Sequence, residues 1–309
     1  LEAVEQAFRE KSGGAVQMPA KTYLYYQKYE GDLRVMPAYL PALDVSAVKV
    51  VNVHPQNRRF GLKTVMATII LVDPRTGFPL SIMDGTWVTA MRTGAASGVA
   101  SKYLARRNSR ILGLIGAGVQ ARTQLMAVSH VLRIERVKVY DIDINNAKRF
   151  VENMGQAFPN LSIEAVSHPS EAVEGVDILC TITPARAPIV KDDWIELGLH
   201  INAIGADAPG KEELEPTILK RSKIVVDDYE QAMHSGEMNI LLTMGLMTKD
   251  DIYAELGDIV AEKKIGRASA DEITVFDSTG IAILDAITAR IVYKKALDKD
   301  IGRQIDLIL

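Results

Sequence analysis

The sequence predicts an α/β protein in which a doubly wound parallel sheet is joined to a second, mainly antiparallel α+β domain. Three observations carry that prediction. From Arg110 onward, apolar strand-like runs alternate with helical segments, the pattern of a parallel sheet covered by helices. Before Arg110 the strand-like runs follow one another, and the turn DPRTG at 73–77 joins two of them, which implies antiparallel pairing. Between these regions, RILGLIGAGVQA at 110–121 sets Gly116, Gly118 and Ala121 between an apolar strand and a helix. The first glycine permits a tight turn, the second lets backbone N–H groups approach a pyrophosphate, and the small third residue lets helix and strand pack closely. With the donors and partial positive charge of the helix opening, the run reads as a Rossmann-type nucleotide loop once the second strand, ending in Asp141, is set beside it.

The elements follow in order. Leu1, Val4 and Phe8 share one face of a first helix; the pattern is already under way at Leu1, so a few residues are expected to precede it. TYLYYQ, DLRVMPAYL, AVKVVNVHP, VMATIILVD and FPLSIMD are short and rich in Val, Ile, Tyr and Leu, and read as strands. From Thr86 to about Arg107 the pattern is helical, with Met91, Ala95, Val99 and Tyr103 at spacings of four, and with Gly94 and Gly98 allowing close backbone contact. Asn108 and Ser109 end it. Then come LGLIG, a helix, VKVYD, a helix, LSIEAV, a short helix at SEAVEG, DILCTIT, a segment at DDWIELG, HINAIGA, a helix, KIVVDD, a helix and EITVFDS. A last helix from Ile281 to about Leu297 returns to the first region. The expected domains are therefore residues 1–107 completed by 281–309, and residues 108–280.

A chain of 309 residues, 48% of them apolar, can bury a substantial core. With 36 basic and 39 acidic residues the net charge is −3, so no global field attracts nucleic acid or an anionic membrane. Cys180 is the only cysteine, which excludes an intrachain disulfide and a cysteine zinc cage, and none of the five histidines has a metal-ligand spacing, so no metal is expected. No apolar run approaches the ~20 residues that span a bilayer, and no cationic leader opens the sequence; cytoplasm is the default compartment.

The run ERVKVYDID places Asp141 at the end of the second strand, roughly 20 residues past the loop, where a carboxylate binds the ribose hydroxyls of NAD. Asp141 and Asp143 would repel a 2′-phosphate, so NAD is favoured over NADP. The expected cofactor-binding set is Gly116, Ala117, Gly118, Val119 and Gln120 of the loop, Asp141, and Thr183, Gly205 and Ser278 at later strand ends.

Chemistry beside such a dinucleotide needs a carboxylate clamp and a proton acceptor. Lys49 sits in AVKVVN, where strand period puts it among buried residues, and desolvation favours the neutral amine of a working base; the alternative is a lysine snorkelling from an edge strand. Lys21 and Arg34 lie in the early strands. Arg92, in TAMRTGAAS, offers a planar fork for an anion, or else is a solvated helix arginine. Asp207, in GADAPGK, follows a strand at its carboxyl end, where it acts as acid or base unless it merely caps a turn. Ser278 and Thr279 read equally as neighbours of a nicotinamide or as a helix N-cap. His54 and Cys180 read as structural, and the Met-rich run MNILLTMGLM as core or a helix-packing face.

Together GDLRVMP, VKVVNVHPQN, TVMATIILVD, MDGTWVTAMRTGAASGVASKYLAR, LIGAGVQA, INAIGADAPGKEEL and VFDSTGIAI resemble the ornithine cyclodeaminase and mu-crystallin family over essentially the whole chain. The resemblance implies a homodimer built through the antiparallel domain, an NAD(P)-binding Rossmann domain, and oxidation of a small L-amino acid to its α-imine. By match of motif, Lys21, Lys49 and Arg92 hold the substrate's carboxylate and amine, while Asp207 handles protons and water. Ornithine-type members carry a carboxylate just before the Met-Pro pair, where this chain has Arg34. A cation there repels the distal ammonium of ornithine and helps to hold a carboxylate, unless a one-residue strand shift turns it outward. Alanine dehydrogenase is therefore placed ahead of ornithine cyclodeaminase. A ketimine reductase and a non-catalytic, crystallin-like binder of NAD(P)H remain as further alternatives, and a methyltransferase using S-adenosylmethionine is a rival outside the family.

Overall fold

The structure is a computed structural model that describes residues 1–305, the side chain of Arg58 aside. Contacts divide the chain into two units, one comprising Gly13–Thr89 with the segment from Ala282 onward, the other Leu1–Ser12 with Ala90–Ile281. The first helix and residues 90–107, expected in the first domain, thus cluster with the parallel sheet.

Helix α1 (Glu2–Ser12) buries Val4, Ala7 and Phe8. Five strands follow in spatial order, β1 (Thr22–Tyr26), β2 (Gly31–Leu40), β3 (Val45–Val53), β4 (Val65–Val72) and β5 (Pro79–Asp84), every neighbouring pair antiparallel. The DPRTG turn closes the hairpin between β4 and β5. Pro37 is tolerated in β2 because β1 pairs only with Gly31 to Val35, so the missing N–H lies beyond that edge. Strand alternation puts Arg34, Met36, Ala38 and Leu40 of β2, and Val45, Ala47, Lys49 and Val51 of β3, on one buried face.

Helix α2 (Gly85–Leu104) ends a turn earlier than the sequence indicated and leads into the larger sheet. Its elements are β6 (Ile111–Ile115), α3 (Val119–Val131), β7 (Arg136–Tyr140), α4 (Ile144–Ala157), β8 (Ser162–Ala165), β9 (Ile178–Thr181), β10 (Arg186–Val190), β11 (His200–Ala203), β12 (Glu212–Leu214), α5 (Pro216–Lys220), β13 (Lys223–Val226), α6 (Tyr229–Ala232), α7 (Met238–Thr243), β14 (Ile252–Glu255), α8 (Leu256–Val260) and β15 (Thr274–Asp277). Eight strands pair in the order β14-β13-β15-β11-β9-β6-β7-β8, all parallel, while β10 and β12 form a separate parallel pair. The chain runs outward from β6 through β7 to β8 and resumes on the other side at β9, so the topological switch point lies between β6 and β9. The short helix expected at SEAVEG is a single 3₁₀ turn, Pro169–Ala172, and the segment DDWIELG opens with another, Asp192–Trp194.

Both faces of the sheet are buried. Leu112, Leu114, Ile178 and Cys180 pack with Leu125, Val128 and Phe150; Leu179, Ile201, Ile224 and Val275 pack with Val173, Ile218 and Leu241. Gly94 brings α2 against α3, since a Cβ there would stand 2.4 Å from the Thr123 carbonyl oxygen. Helix α1 packs on α8, and α9 (Ala282–Asp298) returns to the antiparallel sheet against β2, β3 and β4. No described helix is long and apolar enough to cross a membrane.

Candidate functional site

At the switch point, Gly116 has φ +106° and its missing Cβ would lie 3.1 Å from the Ile182 carbonyl oxygen, so only glycine fits. Gly118 enters α3 in extended conformation without any side-chain cap, and a Cβ on it would meet nothing within 4 Å. The opening of α3 therefore has room for an anionic group beside its first N–H groups. Asp141 follows β7: its Oδ2 accepts from the Ala117 N–H at 2.9 Å, and its Oδ1 accepts from the Asp143 N–H and Asn146 Nδ2, each at 3.0 Å. That ties the carboxylate to the glycine loop. Asp143 is instead the N-cap of α4, accepting from the Asn145 N–H, so repulsion of a 2′-phosphate falls to Asp141. An open glycine cradle, a helix opening and an adjoining carboxylate together fit a dinucleotide.

The other predicted residues of this unit follow later strands. Thr183 comes after β9 and Gly205 after β11, and both backbone N–H groups donate to Glu213, at 2.6 and 2.9 Å. Asp207 accepts from Lys211 Nζ at 2.6 Å. Beyond β15, the Ser278 and Thr279 hydroxyls donate to Asp227 at 3.0 Å each, and the Gly280 N–H does so at 2.7 Å. Those bonds, and the start of α9 at Ala282, dispose of the N-cap reading. Arg92 is 6% exposed rather than solvated, and its guanidinium lies over Gly280, 2.8 Å from where a Cβ would be. Gly116 to Gln120, Asp141, Thr183, Gly205, Asp207 and Ser278 thus share the carboxyl edge of the sheet, with Arg92 beside the end of β15.

Behind that edge lie buried acids. Burial raises Asp277 to about 7, helped by the charge of Asp227 and opposed by N–H bonds. It also raises Glu213 and, with the charges of Glu213 and Asp277 added, lifts Glu237 well above the carboxylate range.

In the antiparallel unit, Lys49 and Asp285 of α9 meet at 2.6 Å, with side chains only 1% and 2% exposed. The edge-strand alternative fails because β3 is central. Arg34 shares this face, which also settles its direction: it is buried, gripped by both oxygens of Asp32 at 2.9 and 3.0 Å, with its guanidinium over the Tyr23 ring. Lys21 is half-buried just ahead of β1. His54 packs on Tyr26 and Gly31. Cys180 is fully buried, its thiol pushed up to about 12, so it is core. The Met-rich run is only partly core, with Met238 and Leu241 buried but Met244 and Leu246 exposed. Among the described residues no group of His, Cys, Asp and Glu could hold a metal ion.

Sequence reading passed over Asp285, Asp32, Lys211 and Glu213. Lys211 and Asp32 were within reach, four and two residues from Asp207 and Arg34; Asp285 and Glu213 meet their partners only through the fold.

A glycine loop at the switch point of a parallel sheet, with a helix-backed antiparallel sheet beside it in the chain, defines a Rossmann-type α/β protein. The chain belongs to the ornithine cyclodeaminase/mu-crystallin family, whose model matches residues 1–300. It is 50% identical over 305 residues to the alanine dehydrogenase of Archaeoglobus fulgidus, covering 99% of this chain and 92% of that one. Among solved structures, an archaeal alanine dehydrogenase dimer with bound NAD has a TM-score of 0.94 at 49% identity, covering 99% of this chain and 93% of that one. The Delta(1)-pyrroline-2-carboxylate reductase of Thermococcus litoralis, in complex with NADH and L-proline, has a TM-score of 0.96 at 46% identity, covering 98% and 94%.

Proposed function

We propose that this chain is an NAD-dependent oxidoreductase acting at the α-carbon of a small L-amino acid, with alanine dehydrogenase as its reaction: L-alanine, NAD and water give pyruvate, ammonia and NADH. The observation that carries the reading is the ion pair of Lys49 and Asp285 on the same buried sheet face as Arg34. A protein keeps charges in such a place at a cost, and a carboxylate-bearing amino acid is what they suit. The loop 116–120, Asp141, Thr183, Gly205 and Ser278 would hold NAD, which when bound supplies the hydride acceptor. Lys21, Arg34 and Arg92 orient the substrate carboxylate. The proton released by the substrate ammonium goes to Lys49, which first passes its own to Asp285 across their 2.6 Å contact, or else to Asp207. Asp207 holds and deprotonates the water that adds to the imine carbon before ammonia leaves, and Lys211 fixes its carboxylate. Arg34 puts a guanidinium, itself occupying Asp32, where a distal ammonium would need a carboxylate, which sets ornithine cyclisation behind.

A second reading is reduction of a cyclic α-imino acid, favoured by the likeness to the reductase holding NADH and L-proline. Incubation with L-alanine and NAD is expected to give reduced nicotinamide and pyruvate. No reaction in either direction, alongside oxidation of NADH by pyrroline-2-carboxylate, overturns the first reading in favour of the second.

A homodimer through the antiparallel sheet belongs to the proposal. One-sided burial would leave the outward face polar, yet Val35, Val48, Val50, Ile70 and Ile82 occupy it, half-buried or exposed.

A further inference from the structure

Three fully buried carboxylates, Glu213, Glu237 and Asp277, lie behind the strand ends, and none has a part in the steps above. Each is spent on backbone N–H groups. Asp277, ending β15, accepts from Glu237 at 3.0 Å and Met238 at 3.3 Å. Glu237, opening α7, accepts from Glu213 at 3.1 Å and Leu214 at 3.0 Å, both in β12. Glu213 in turn accepts from Thr183 with Oε1 and from Gly205 with Oε2, at 2.6 and 2.9 Å. The chain of carboxylates therefore runs from β15 to the turns after β9 and β11. Its last member is the only one that bonds two turns from different strands of the main sheet.

We propose that Glu213 is a positioning residue for hydride transfer: its carboxylate clamps the turns after β9 and β11 together and so fixes the seat of the nicotinamide half of the coenzyme. The proposal rests on the reading of Thr183 and Gly205 as coenzyme-binding residues. Geometry gives Glu213 this task in preference to a neutral side chain, because each oxygen serves a different turn. An amide has one acceptor and would point N–H at N–H on the other side. The fit is close as well as specific: a Cβ on Gly205 would lie 2.3 Å from Glu213 Oε2 and 2.2 Å from the Thr183 carbonyl oxygen. Burial lifts Glu213 to about 7, so above that pH its bonds to the two turns are charge-assisted and strong in a dry setting, and small displacements of a seat are costly to transfer.

The test is Glu213→Gln, measured three ways. In the coenzyme-free protein, hydrogen exchange at the Thr183 or Gly205 amide should quicken by about tenfold or more. NADH should bind about tenfold more weakly, and kcat should fall about tenfold, with KM for the amino acid unchanged. A purely structural role would lower Tm while leaving NADH affinity and kcat of the folded enzyme as they were, and that result overturns the proposal. If the Gln variant does not fold, Glu213→Asp, which keeps the charge but withdraws it by one methylene, is measured with the same expectations. Gly118→Ala serves as the check on the coenzyme reading. If it weakens NADH binding while the Glu213 variants do not, the clamp falls and the reading stands; if neither weakens it, both fall.

Discussion

At Lys49 an amino group that is 1% exposed meets a carboxylate at 2.6 Å, and taking two such groups out of water is repaid only while both are there. Asp285→Asn is therefore expected to lower the unfolding free energy in urea by about 3–5 kcal/mol. Lys49→Met combined with Asp285→Leu should recover most of that loss while turnover stays absent; a single variant as stable as the parent would remove the pair from the account. The acids behind the sheet make a second prediction, with a definite sign. Glu237 is raised, so the folded chain holds a proton that the unfolded chain releases above about pH 4.5. Its contribution is present at acid pH and is lost as pH rises through the folded value. His200, lowered to about 3 by burial, acts oppositely as pH falls through about 6.5, so the comparison must be with Glu237→Gln. The Tm of that variant minus that of the parent should increase from pH 5 to pH 8, and a constant difference refutes the assignment. Lys49 was legible because β3 alternates. Asp285 was not, because residues Ala282 to Ile287 of α9 are all buried and no period marks the one that faces β3.

Among elements, glycines separate packing from binding. Gly94→Ala would press a methyl group against the backbone of α3, so a loss of about 1–3 kcal/mol is expected. Gly118→Ala meets open space in an allowed conformation, so it should melt with the parent yet bind NADH more weakly. Calorimetric melting and fluorescence titration of both variants decide the matter; equal stability losses would refute it. The strands flanking the glycine loop were legible because parallel strands buried on both faces read as continuous apolar runs. β12 is three residues long and begins with two glutamates, β10 begins Arg-Ala-Pro, and β14 runs directly into α8. Such strands owe their form to neighbours that a local pattern does not register.

For the whole molecule, the outward face of the antiparallel sheet makes the remaining prediction. Ile82 is 56% exposed on edge strand β5, and a charge there should prevent a second copy from docking. Ile82→Lys is expected to halve the mass seen by light scattering; a parent that is already monomeric, or a variant that stays dimeric, counts against assembly through this face. The return of the last helix to the antiparallel sheet was legible from the order of elements. The destination of α1 was not, since its apolar stripe says that it packs and leaves open against what.

Those two helices give both units an interrupted course along the sequence. α1 finds its partner α8 some 250 residues downstream, and the sheet bearing Lys49 receives Asp285 only from α9. During synthesis, neither unit can be finished while the ribosome is still making the middle of the protein. The amine and its anchoring carboxylate are joined among the last events of biogenesis, so a prematurely terminated product would carry a nucleotide loop but leave Lys49 buried without Asp285.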